Sequence, residues 1–393
     1  VTIAKRERAP LVSPNLQFVF KTSKYCNLRC TYCYEYNELG VRRRMSLDII
    51  RSALHNIANF AADNGVAAVN FAWHGGEPFL IPLDFYAEVG TLQNDVFDDG
   101  VVTNDVQTNL TVLTERHIEF LKSKTFFTAL GVSFDPYGDQ RVDIRGRVKT
   151  DLILANIQKL IDNKIDFSAI AVVVRETVPH VKNIFRFFDR IGVRFRLLPF
   201  YQSAFDEQVA AYALAGPQIV AAFTGVFDEW IASAHATTVA PLDDCLSYAI
   251  NYMAGHPSVC YDKERDESVF VVGVDGGVWG DGEISGEEFR YGNLIEDGFA
   301  ALLKSENRMQ AVERSRRLMH KHCGSCRFLG ACPGHFVAEA SPQQQRTLEE
   351  FGCPERAVID HIVNALRSAD LGNLIANNVA DRSSGDSPLR LNF

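Results

Sequence analysis

The chain has 393 residues, 47% of them hydrophobic and 23% charged, with a formal net charge of −9. That is the composition of a globular protein with room for two domains and a full core, and its acidic balance excludes a general nucleic-acid-binding surface. No uninterrupted apolar run is long enough to span a membrane and VTIAKRERAPLVSP lacks an apolar signal-peptide core, so no membrane partner is expected and the expected location is cytoplasmic.

From about residue 16 to 235, short apolar runs alternate with helix-period segments, the pattern of βα units around a parallel sheet. Strands are expected at 17–22, 69–73, 102–108, 129–134, 167–174 and 195–199. Helix starts are read at Ser46 before LDIIRSALHNIANFAADN, Thr114 before ERHIEFLKS, Thr150 before DLILANIQKLIDN, and Pro179 opening HVKNIFRFFDRIG. Six units are too few to close an eight-stranded barrel. The expected fold class is therefore α/β, a partial (β/α)6 TIM-like barrel over 1–235 with its chemistry at the C-terminal strand ends, followed by a small α+β domain over 236–393.

The first expected strand runs into TSKYCNLRCTYCYEY, where Cys26, Cys30 and Cys33 have the spacing C-x3-C-x2-C. Thiolate is a soft ligand suited to iron–sulfur clusters, which normally take four cysteines, so three leave one iron with an open position. A zinc site would need a fourth nearby Cys or His, and the next is His55, inside the following helix. The nine cysteines lie towards the two ends of the chain, with none between Cys33 and Cys245, a distribution that fits clusters in a reducing compartment better than disulfides. Arg42, Arg43 and Arg44 read as a solvated loop face rather than a phosphate site.

The second strand ends in HGGEP, whose paired glycines let a backbone approach a ligand closely. Later strand ends carry QTN with Asn109, GVSFD with Ser133 and Asp135, and DIRG with Arg145. The cysteine loop, with Tyr32 before its last cysteine, resembles the signature of the radical S-adenosylmethionine (radical SAM) enzymes. The resemblance implies a [4Fe–4S] cluster on Cys26, Cys30 and Cys33, with S-adenosylmethionine bound to the fourth iron through its amino and carboxylate groups. One electron, from an external donor of the flavodoxin or ferredoxin type, then gives methionine and a 5′-deoxyadenosyl radical that abstracts hydrogen from a substrate. It further implies that Gly75, Gly76, Glu77 and Pro78 hold the methionine amino group, that Ser133 and Arg145 contact ribose and carboxylate, that Asn109 belongs to the cofactor site, and that Leu198 flanks the adenine.

Residues 217–236 read as an Ala-rich helix bridging the two halves. HCGSCRFLGACPGHF then sets Cys323, Cys326 and Cys332 as C-x2-C-x5-C, with Cys353 following, for which a zinc ribbon is the structural alternative. The arrangement resembles the SPASM extension of radical SAM enzymes, and implies an outer auxiliary [4Fe–4S] cluster on those four residues. The inner auxiliary site departs from the pattern: Phe336, preceded by His335, stands where a cysteine is expected, leaving Cys245 and Cys260. Two registers fit the earlier part, Cys245 with Gly255 and Cys260, or Cys260 with Gly276; the second is preferred because VFVVGVDGGVW reads as a hairpin turning at Asp275-Gly276-Gly277, and in it Asp281 takes another cysteine's place, with Asp281 or His335 as substitute ligands. One or two auxiliary clusters are thus implied. Asp281 is read as a ligand or, by likeness to sulfatase-maturing members, as a catalytic base. A closing helix is expected at 355–370, followed by a polar tail.

The expected function is a peptide or protein maturase that abstracts hydrogen from a side chain, leading to cross-linking or oxidation. Radical oxidation or rearrangement of a free small molecule, and a non-enzymatic iron–sulfur or zinc module, are the alternatives.

Overall fold

A single sheet organises the molecule. In the computed structural model, which describes residues 13–201, 205–235, 237–256, 259–280 and 286–368, it contains ten strands. They are β1 Asn15–Ser23, β2 Ala68–Gly75, β3 Val102–Thr108, β4 Ala129–Ser133, β5 Ser168–Val173, β6 Phe195–Pro199, β7 Val239–Ala240, β8 Val269–Val272, β9 Gly277–Trp279 and β10 Gly292–Asn293. Their order is β10-β9-β8-β1-β2-β3-β4-β5-β6-β7. β1 to β7 run parallel, which gives the partial barrel expected from the alternation of strands and helices. β8 pairs parallel with the free side of β1, and β9 and β10 continue antiparallel. Strands on both sides of residue 235 therefore share one sheet.

Strand alternation divides the barrel into two environments. Outward residues such as Phe18, Phe20, Phe71 and Trp73 pack in an aromatic core, with Phe20 and Trp73 centroids 5.4 Å apart. Inward residues are more polar: Gln17 Nε2 donates to Asn70 Oδ1 at 2.8 Å, and Asn70 Nδ2 donates to Asp105 Oδ2 at 2.8 Å. This paired polar floor leaves Lys21, His74, Gln107 and Ser133 further along the same inward faces, at the C-terminal strand ends.

The helix Leu47–Asn64 begins at Ser46, whose hydroxyl accepts from Ile49 N, and stops at left-handed Gly65. Thr114 caps Glu115–Ser123 through the backbone N–H of His117. Two starts differ from the sequence reading. Thr150 is the first residue of Thr150–Asp162 rather than its cap, and Pro179 lies in a 3-10 turn, Arg175–His180, that precedes Val181–Arg190. The helix Leu83–Asn94 between β2 and β3 was not foreseen; its start at Pro82 has no side-chain cap, so the usual polar start signal is missing. Gly216–Ala232 packs against the closing helix Pro354–Ser368. Among the described residues no single helix is long and apolar enough to cross a membrane. The bent pair Asp206–Tyr212 and Gly216–Ala232 passes by composition, but its Ile219, Phe223, Val226 and Phe227 are buried in the core.

Candidate active site

The cysteine loop leaves the C-terminal end of β1, and neighbouring strand ends hold it in place. Cys26 N donates to Leu39 O at 3.1 Å, and the Cys26 sulfur accepts from Leu28 N at 3.4 Å and from Asn109 Nδ2 at 3.5 Å. Asn109 is itself fixed, its Nδ2 donating to Asn27 Oδ1 at 3.1 Å and its Oδ1 accepting from Thr111 N at 2.9 Å. Cys26, Cys30 and Cys33 share one small apolar cluster with Leu28 and Leu39. Burial pushes all three thiols up, Cys26 to about 12, and Cys26 and Cys33 both feel Cys30. Taking up a cation while releasing protons is how such a desolvated thiol set ionises.

On the other side of the loop, Tyr32 donates its hydroxyl to the Asp135 carboxylate. Arg141 Nε lies 2.9 Å from Asp135 Oδ2, and Asp135 Oδ1 also accepts from Val172 N at 2.7 Å. Arg141 is buried beside Cys30, and its positive charge acts against the upward push that burial gives that thiol. The arginine named from the sequence, Arg145, sits instead on an exposed turn, where its backbone N–H donates to Asp143 Oδ1 at 2.8 Å. Ser133 faces the barrel interior and accepts from Gln107 Nε2 at 2.8 Å.

The HGGEP turn closes the site from β2. A Cβ on Gly75, whose φ is +104°, would lie 2.5 Å from Ser23 O, and one on Gly76 would lie 2.1 Å from Tyr25 O, so only glycine allows this turn to press against the start of the cysteine loop. Glu77 is 1% exposed. Its Oε1 accepts from Thr108 Oγ1 at 2.6 Å and Phe79 N at 2.9 Å, and its Oε2 from Asn109 N at 2.7 Å. Burial pushes this carboxyl up to about 7 against those hydrogen bonds. Glu77 thus joins the ends of β2 and β3, and Pro78 opens the 3-10 turn Pro78–Leu80.

Below the loop lies a cavity of about 490 Å³. One end is lined by Lys21, Tyr34, His74 and Gln107, and Leu198 and Arg196 of β6 form part of its wall. Lys21 pairs with Glu35 at 2.7 Å and lies 5.0 Å from the Tyr34 ring centre. Burial acts against both charges, yet each holds the other ionised, Glu35 below and Lys21 above its usual range. Burial lowers His74 to about 4, and its Nδ1 accepts from Gly75 N at 2.7 Å. No sequence signal beyond a lysine on an inward strand position marked this group.

The far end of the cavity reaches the second cysteine group through Cys245, His335, Phe336 and Glu355. Cys323 ends the helix Glu306–Cys323, and Cys326 N donates to Cys323 O at 2.9 Å. Cys332 accepts from Gly334 N at 3.4 Å, and Cys353 precedes the closing helix. Burial pushes Cys323 and Cys353 up to about 12, and Cys323, Cys332 and Cys353 lie within electrostatic reach of one another. Cys245, on Leu242–Ala254, is buried within reach of Cys332 and Cys353, whereas exposed Cys260 is felt by Cys323. Both cysteines assigned to an inner site therefore stand beside the outer four. Asp281 lies outside the described residues; Gly280 before it lines the cavity.

Between the two cysteine groups a buried ionic network forms part of the cavity wall. Lys263 pairs with Glu267 at 2.8 Å and Glu339 at 2.6 Å, and Arg308 Nε donates to Glu267 Oε2 at 2.8 Å. Tyr291 donates to Glu267 at 2.9 Å, and Tyr261 to Glu339. Two cations matched to two carboxylates is the condition under which such burial is tolerated.

Among the described residues no three His, Cys, Asp or Glu side chains converge closely enough for a single metal ion. Thiols that each take a different iron of one cluster have no need to converge so far.

Residues 20–188 match the family described as the radical SAM superfamily. This part of the chain is a radical SAM domain. Radical SAM domains work with a [4Fe–4S] cluster and S-adenosylmethionine, and one buried and two half-buried thiols beside a cavity suit that pair of cofactors. Similar proteins extend past the domain. A serine-type anaerobic sulfatase-maturating enzyme of Bacteroides thetaiotaomicron is 23% identical over 348 residues, covering 83% of each chain. A cysteine-type anaerobic sulfatase-maturating enzyme of Clostridium novyi is 26% identical over 322 residues, 79% of this chain and 84% of that one. Among solved structures, native anSMEcpe with bound AdoMet and Cp18Cys peptide shares the fold with a TM-score of 0.69 at 20% identity, over 90% of this chain and 100% of that one. Streptococcus suis SuiB bound to S-adenosylmethionine aligns with a TM-score of 0.55 at 16% identity, over 84% of this chain and 75% of that one.

Proposed function

We propose that the protein is a radical SAM maturase acting on a side chain of a peptide or protein substrate. The observation that carries this reading is the three-thiol loop at the end of β1, set beside a cavity that runs on to a second cysteine group. In this reading Cys26, Cys30 and Cys33 hold the [4Fe–4S] cluster, and an external one-electron donor reduces it. With S-adenosylmethionine bound there, the pair supplies a carbon-centred radical able to take hydrogen from an unactivated C–H bond.

The chain's own residues prepare the place. Gly75 and Gly76 keep the β2 end free of side chains, so that its backbone is available to the methionine amino group. Glu77 locks that turn to β3, and Asn109 orients Cys26. The Tyr32–Asp135–Arg141 group holds the loop's second and third cysteines against β4 and β5. Leu198 offers an apolar wall for adenine, Ser133 a hydroxyl for ribose, and Arg145 a cation on the turn paired with the loop. Cys323, Cys326, Cys332 and Cys353 hold an auxiliary cluster, Cys245 and Cys260 flank it, and Asp281 serves as base or ligand beside Gly280. Residues 1–235 are the radical-generating part and 236–393 the auxiliary part.

The names of the relatives point to a sulfatase-type peptide, with serine or cysteine as the modified residue. The test is anaerobic reconstitution with S-adenosylmethionine and a low-potential reductant, followed by addition of serine- and cysteine-containing sulfatase peptides. The expected result is 5′-deoxyadenosine, released faster with peptide, and a serine peptide lighter by two hydrogens or a cysteine peptide that loses two hydrogens and then exchanges its sulfur for a water oxygen, releasing hydrogen sulfide. Indifference to every peptide, with turnover of a metabolite, would overturn the reading.

A further inference from the structure

The radical-generating loop lies between two exposed basic turns. Residues 24–44 and 139–149 together carry nine Lys or Arg, of which Arg141 is buried against Asp135, and four Asp or Glu, in a chain whose net charge is −9. Of those acids, Glu38 is paired with Lys24, Glu35 with Lys21, and Asp143 with both Arg147 and Lys149. Arg42, Arg43, Arg44, Arg145 and Arg147 are exposed. The same two turns present Ile144 at 74% exposure, Val148 at 44% and Val41 at 43%. Ile144 is the most exposed large apolar side chain among the described residues. Scattered exposed apolar residues need no explanation, but here each basic turn carries its own, Val41 on one and Ile144 with Val148 on the other, the mixture of apolar and charged side chains that protein-binding surfaces use.

Both turns are hydrogen-bonded to the cysteine loop. Arg29 N donates to Val142 O at 2.6 Å and Thr31 N to Gln140 O at 2.9 Å on one side, and Lys24 N to Arg43 O at 3.4 Å on the other. Arg29 fills the space between, donating through Nη1 to Cys26 O at 2.7 Å and Leu28 O at 2.6 Å. A protein seated here is separated from the thiols only by the loop itself. None of residues 39–44 or 140–149 lines the substrate cavity. A partner on the turns and a substrate in the cavity can therefore be present together.

We infer that residues 40–44, 144 and 146–148, with Arg145 left to the cofactor, are the docking surface for an acidic one-electron carrier protein. This rests on the reading that Cys26, Cys30 and Cys33 hold a redox cluster. The carrier loses one electron and the loop's cluster gains it; no atom is transferred. Charge complementarity selects the occupant, because an acidic carrier is drawn to a basic face of an acidic protein, and such steering weakens as salt rises.

The test uses reconstituted full-length protein and a purified flavodoxin of net negative charge, with binding measured by calorimetry at low and high salt. The expected result is an affinity that falls about tenfold or more between 50 and 300 mM salt and by a similar factor in R42E/R44E, with I144S weaker than wild type. Stopped-flow reduction by flavodoxin should slow in parallel in R42E/R44E, while reduction by the methyl viologen radical stays unchanged. Wild-type affinity in both variants, or affinity indifferent to salt, would overturn the inference. So would loss of peptide affinity with flavodoxin affinity retained, which would make the patch a substrate surface. Because binding is read without turnover, protein that binds flavodoxin through these turns yet holds no iron at Cys26, Cys30 and Cys33 would sink the site reading and leave the docking surface standing.

Discussion

The two cysteine groups of this protein are built in opposite ways. Cys26, Cys30 and Cys33 fall within one loop after one strand, and the tertiary structure adds only supports around them: Asn109 from the β3 end, Glu77 from the β2 end, and Asp135 with Arg141 after β4. Cys323, Cys326, Cys332 and Cys353 come from a helix end, the turns after it and the start of the closing helix, with Cys245 brought in from a fourth element. A local loop keeps its ligands together even when its surroundings vary, whereas a dispersed group exists only when several helices dock correctly.

This contrast can be broken most decisively at the first group. Replacing Cys26, Cys30 and Cys33 by alanine should reduce 5′-deoxyadenosine to the enzyme-free background and remove about four irons per chain, measured by chromatography and iron assay. Cys326→Ala or Cys353→Ala should also remove about four irons, yet leave 5′-deoxyadenosine formation without peptide within about threefold of wild type while abolishing modified peptide. If both groups prove equally necessary for cleavage of S-adenosylmethionine, the division of labour drawn between them fails.

Smaller effects test the supports. Asp135→Asn leaves Arg141 buried beside Cys30 without its ionic partner, and should cost about 3–5 kcal/mol of stability in urea unfolding. Glu339→Gln, in the network near the second group, should cost about 1–3 kcal/mol by leaving Lys263 with one carboxylate instead of two. Burial acts to raise Glu339, but Lys263 and His335 hold it below its usual range. A carboxyl lowered on folding stabilises above its unfolded value and loses that stabilisation as pH falls through the folded one, so the variant's deficit should shrink in acid.

A pH-dependent effect concerns His74. Its folded value of about 4 lies below the ordinary 6.5, so the unfolded chain binds the extra proton first as pH falls. Its contribution is full above about 6.5 and is lost on the way down to about 4, on the order of 3 kcal/mol across that window. Protonation would also take the lone pair with which Nδ1 accepts from Gly75 N. His74→Asn should flatten the acid limb of the stability profile of metal-free protein, as read by thermal melts between pH 4 and 7.

The parallel strands, the Ser46 and Thr114 helix starts and the β8–β9 turn were legible because each depends on neighbours in sequence: apolar alternation, a capping hydroxyl, a glycine at φ +84°. Leu83–Asn94 was missed because its start has no capping side chain, and Thr150 was misread because Lys149 takes the position before the helix. The thiol triad was fixed by spacing alone, since three ligands in one loop need no distant partner to be close. Tertiary structure alone placed Arg141 beside Cys30, set Lys21, paired with Glu35, on the cavity wall, and brought Cys245 to Cys332 and Cys353. These contacts join residues far apart along the chain, and burial, which decides their charge states, is a property of the packed whole.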